Sequence, residues 1–66
     1  MSPSNNKPKC KLIGEDGNVF NLIGIVNRTL KADGQPDNAK EFTEKAFQCH
    51  SYDEVLSLIT DYAEVI

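Results

Sequence analysis

The chain has no tryptophan, only two cysteines, and no apolar run approaching the roughly 18–20 residues of a membrane-spanning helix. The missing run excludes a bilayer-spanning helix. A disulfide framework is excluded too, since Cys10 and Cys49 can form at most one bridge. The polar opening, Met1 to Asn6, has no secretory apolar segment, so reduced thiols and a cytoplasmic location are expected. Charge of one sign is missing at each end. Residues 1–11 hold Lys7, Lys9 and Lys11 with no acid, and residues 46–66 hold Asp53, Glu54, Asp61 and Glu64 with no Lys or Arg. A clustered basic face is the usual mark of a nucleic-acid binder, and here the basic residues form only a tail. Nucleic acid is therefore not expected as a partner, and neither is a membrane.

Reactive and ligand-binding patterns are also missing. There is no C-x-x-C or H-x-x-x-H spacing, and neither G-x-G-x-x-G nor G-x-x-x-x-G-K-[ST] occurs. The acid-rich stretch Gly14–Asn18 is no calcium loop. Aligning Gly17 with the invariant loop glycine puts Leu12 and Ile23 at ligand positions, and aligning Gly34 puts Thr29 and Lys40 there. Cys49 and His50, with Cys10, would offer three ligand atoms, but adjacent residues rarely face one ion. As a nucleophile and base the pair lacks an orienting third group. No catalytic, cofactor-binding or metal-ligating residue is assigned.

What the chain does contain is periodicity. Its 66 residues are 39% hydrophobic, enough for one small domain whose core supplies only about 3–5 kcal/mol of net stability. Residues 1–8 are polar and aperiodic and read as a disordered leader, with a single compact domain over 9–66. Residues 9–14 alternate, with Cys10 and Leu12 on one side, as in a short half-buried strand. Asp16-Gly17 marks a turn, on the reading that Gly17 accepts a positive φ. Asn18 is placed to cap a first helix whose stripe is Val19, Leu22, Ile23, Val26 and Leu30, ended by Gly34. Pro36 opens a second helix with Ala39, Phe42, Ala46 and Cys49 on its stripe and Phe47 on the flank. Ser51 and Glu54 form a capping box for a third, with Tyr52, Val55, Leu56, Ile59, Tyr62 and Ala63 on one face. Glu64–Ile66 can extend that helix or pair with residues 10–14. A lone strand leaves its backbone unpaired, which favours pairing between the two ends.

The resulting fold class is α+β and mainly helical: an N-terminal strand, three helices, and a short C-terminal strand beside the first. The second and third helices are not a DNA-reading pair. The would-be recognition helix has four acids and none of the residues that read base edges. Ile25 and Leu58 lie roughly 100° off their helical stripes. With Asp53, Glu54, Asp61 and Glu64 they make up the candidate interaction surface.

At GEDGNVFNLIGIVNRTLKADG (Gly14–Gly34) and SYDEVLSLITDYAEV (Ser51–Val65) the chain resembles a group of short uncharacterised bacterial proteins associated with phage and mobile-element genes. That resemblance implies a compact αβ domain and transfers no catalytic residue. Its members tend to carry Gly where His50 stands here, which implies a helix-end backbone role at that position. The expected function is non-enzymatic: an interaction or regulatory module with a protein partner or a second copy of itself. The alternative is an acidic decoy that occupies a nucleic-acid-binding protein. A metal- or thiol-dependent activity at Cys49 and His50 ranks third.

Overall fold

The computed structural model describes residues 7–12, 14 and 16–66. Five elements follow in order: β1 (Lys9–Cys10), α1 (Val19–Ala32), α2 (Pro36–Ala46), α3 (Tyr52–Tyr62) and β2 (Glu64–Val65). The helices start and stop where local chemistry dictates. The Asn18 side chain accepts from the Phe20 N–H at 2.8 Å, satisfying one of the unpaired donors of the first turn. Asp16 in turn accepts from the Asn18 N–H at 3.0 Å, and the Asn21 amide donates to the Asp16 carbonyl at 2.9 Å. Most of the Asp16–Asn18 polarity is thus consumed in starting α1. The positive φ falls on Gly14 (+89°) and not on Gly17, which corrects the expected turn.

Gly34 ends α1 with φ +79°. The Gln35 N–H reaches the Leu30 carbonyl at 2.9 Å and the Gly34 N–H the Lys31 carbonyl at 3.1 Å, the paired closure of a Schellman motif. Pro36 begins α2, where a missing N–H leaves nothing unpaired. At α3, Ser51 Oγ accepts from the Glu54 N–H at 3.2 Å. The returning Glu54 carboxylate lies 3.4 Å from the same hydroxyl, so its reciprocal contact is with the Ser51 side chain.

The two ends of the domain meet in a parallel ladder, with Lys9 opposite Glu64 and Cys10 opposite Val65. The Glu64 N–H donates to the Pro8 carbonyl at 2.8 Å and the Ile66 N–H to the Cys10 carbonyl at 3.0 Å; the Leu12 N–H reaches Ile66 at 3.3 Å. Parallel strands need a long crossover, which the three helices supply. Regular strand structure is shorter than the expected 9–14, because only two residues on each side are paired in register. Two residues of the expected leader make contacts with the rest of the chain. Lys7 Nζ donates to the Thr60 carbonyl at 2.9 Å, and the Pro8 carbonyl accepts from Glu64 as above. Residues 1–6 of the expected leader lie outside the described residues.

The core consists of Cys10, Leu22, Ile23, Val26, Leu30, Ala39, Phe42, Ala46, Val55, Ile59 and Ala63. Phe42 is fully buried and meets the Tyr62 ring edge-on, with centroids 5.5 Å apart. The Asn27 amide joins α1 to α2 by donating to Thr43 Oγ1 at 2.6 Å and to the Ala39 carbonyl at 3.2 Å. Tyr52 and Leu56 depart from the expected core face: they are 45% and 36% exposed, and the buried residues of α3 are Val55 and Ile59.

Truncating Phe42 to Ala is expected to remove about 3–5 kcal/mol, enough to leave a domain of this size largely unfolded by far-ultraviolet circular dichroism. Two glycine substitutions are expected to act in opposite directions in urea denaturation. Both sites have open space for a Cβ, but Gly34 has the positive φ and Gly24 is helical. Gly34→Ala should therefore destabilise by roughly 1–2 kcal/mol, and Gly24→Ala should stabilise by about 0.5–1 kcal/mol.

Candidate interaction surface

The six residues singled out from the sequence do not form one patch. Leu58 is half-buried in a groove of about 370 Å³ between α2 and α3, with Glu54 and Asp61 on its walls beside Lys45, Gln48, Cys49 and Ser57. These three are brought together because positions i, i+4 and i+7 share a helical face. Asp53 is exposed in the first turn of α3, outside that groove, and Glu64 is on β2 opposite Lys9. Ile25 is on α1, half-buried and packed against the core. Its carbonyl accepts from Thr29 Oγ1 at 2.8 Å, and that hydroxyl lies 3.6 Å from Cys10 Sγ. Ile25 therefore belongs to the side of α1 that faces β1, apart from the α2–α3 groove.

Electrostatics in the α2–α3 groove are uneven. Lys45 pairs with Glu41 at 3.4 Å, the only ion pair among the described residues, and its ammonium is 5.8 Å from the Tyr62 ring centre. A hydrogen-bonding contact with the Tyr62 hydroxyl, followed by the charge of Glu41, holds the Lys45 pKa above its ordinary value. The acids of α3 thus have no cationic partner within the described chain. Among the described residues no three His, Cys, Asp or Glu side chains cluster as a metal site, and no charged or polar side chain is buried. His50 is exposed immediately before the Ser51 cap. Cys49 is half-buried with Sγ 3.5 Å from the Lys45 carbonyl, and Cys10 is buried.

A second groove is more apolar. Leu12, Leu22, Leu56 and Val65 line about 460 Å³ with Tyr52, Thr60 and Gly17, where the chain leaves the ends of β1 and β2. A Cβ on Gly17 would be 3.5 Å from the Tyr52 hydroxyl. Val65 borders this groove and forms an open strand edge: Glu64 and Ile66 make the ladder bonds, so the Val65 N–H and C=O point away from β1. A third apolar feature is the pair Phe20 and Phe47, 66% and 61% exposed, with ring centres 6.1 Å apart. Phe20 lies about 100° off the α1 stripe, as Ile25 does, so angular position alone carries the signal for it. Tyr52 and Leu56 give no such signal, since they fall within the α3 stripe.

No protein-family model, curated protein or solved structure matches this chain. The grooves on α3 differ in chemistry: one is mainly apolar, and the other carries carboxylates without a cationic partner among the described residues. No described helix is long and apolar enough to cross a bilayer.

The two thiols are expected to differ sharply under native conditions. Cys49, half-buried at the surface, should react with a small aromatic disulfide reagent in the folded protein. Cys10 should react only on unfolding, as followed by intact-protein mass spectrometry. Equal rates would contradict the packing of Cys10 under α1.

Proposed function

We propose that this protein is a small non-enzymatic interaction module, acting in the cytoplasm, whose docking surface is the apolar groove between α1, α3 and β2. The observation that carries this reading is the exposure of Tyr52, Leu56 and Val65, three large side chains that meet Leu12 and Leu22 in one concavity. Scattered exposed apolar residues are ordinary, but a continuous concave set in a domain with so small a core is the form taken by binding sites. The occupant is a protein partner or a second copy of the chain.

The test compares the wild-type chain with a Leu56→Glu, Val65→Glu double variant. Both residues are exposed, so the variant should keep its circular dichroism spectrum and melt within a few degrees of the wild type. Its self-association by sedimentation, or its recovery of partners from the source cell by pull-down, should fall at least about tenfold, a loss of about 1.4 kcal/mol. A wild-type chain that stays strictly monomeric at high micromolar concentration and retains no partner would overturn the proposal.

A second reading is favoured by the carboxylates on the other groove. Glu54 and Asp61 flank Leu58 with no cationic partner, and Asp53 lies exposed one position from Glu54. In this reading the face is a decoy that occupies a nucleic-acid-binding protein by presenting negative charge. Binding should then weaken steeply between roughly 50 and 200 mM salt. It should also be lost on Glu54→Lys with Asp61→Lys, while the Leu56 and Val65 substitutions leave it intact. Binding that is indifferent to salt argues against the decoy and leaves the apolar groove.

A further inference from the structure

We draw no further inference here: the strongest candidate, the exposed Phe20–Phe47 ring pair where the start of α1 meets the end of α2, is an unpartnered apolar surface and nothing in the structure shows what covers it.

Discussion

Phe42 is the largest side chain wholly removed from water, and it sits on the central helix of the three, so α1 and α3 both pack on the element that carries it. Without it, three amphipathic helices of 14, 11 and 11 residues would lose the largest side chain of the surface they bury in common. Isolated helices of that length are marginal in water, and packing supplies most of their stability. The small residues beside Phe42 follow from the same demand. Ala39 and Ala46 are one turn away on either side of it, and their size lets α1 approach closely while the aromatic ring fills the remaining volume. Tyr62 then closes the ring from α3 with its edge, and its hydroxyl end remains near Lys45 at the surface.

Once the helices share that core, polar groups fix how they lie. Asn27 is the clearest case: one amide bonds two sites on α2, which sets both the distance and the rotation of α1 against α2. Thr43, one of those sites, also donates to the Ala39 carbonyl at 2.8 Å, so its hydroxyl has both a donor and an acceptor partner. An inter-helix contact made this way specifies one arrangement, because any slide leaves a half-buried amide unpaired.

Most of this architecture was legible in the residues, for identifiable reasons. Asn18, Gly34, Pro36 and Ser51 are each placed where only a helix end makes use of their chemistry, and the helix limits coincide with them. The closing strand pair followed from backbone accounting. Its parallel direction did not, since a two-residue pairing has no period to read. The positive φ at Gly14 was also hidden: two glycines flank the same turn, and composition does not say which one bends. For the candidate surface, the Glu54, Leu58 and Asp61 stripe was implicit in helical spacing. The apolar groove was not. Periodicity tells which side of α3 faces inward, but not how far its neighbours extend, and they stop short of Tyr52 and Leu56.

The ladder between β1 and β2 also governs when the apolar groove exists. It joins residues near opposite ends of the domain, so closing it restricts nearly the whole chain and is entropically the most demanding contact to make. The α1–α2 hairpin, built from near neighbours, can form ahead of it. Leu12 and Val65 each adjoin that ladder and both line the groove. One side of the groove is therefore present only when both ends of the domain are paired, because opening the ladder would release Leu12 and Val65 from the positions they hold against Leu22 and Leu56.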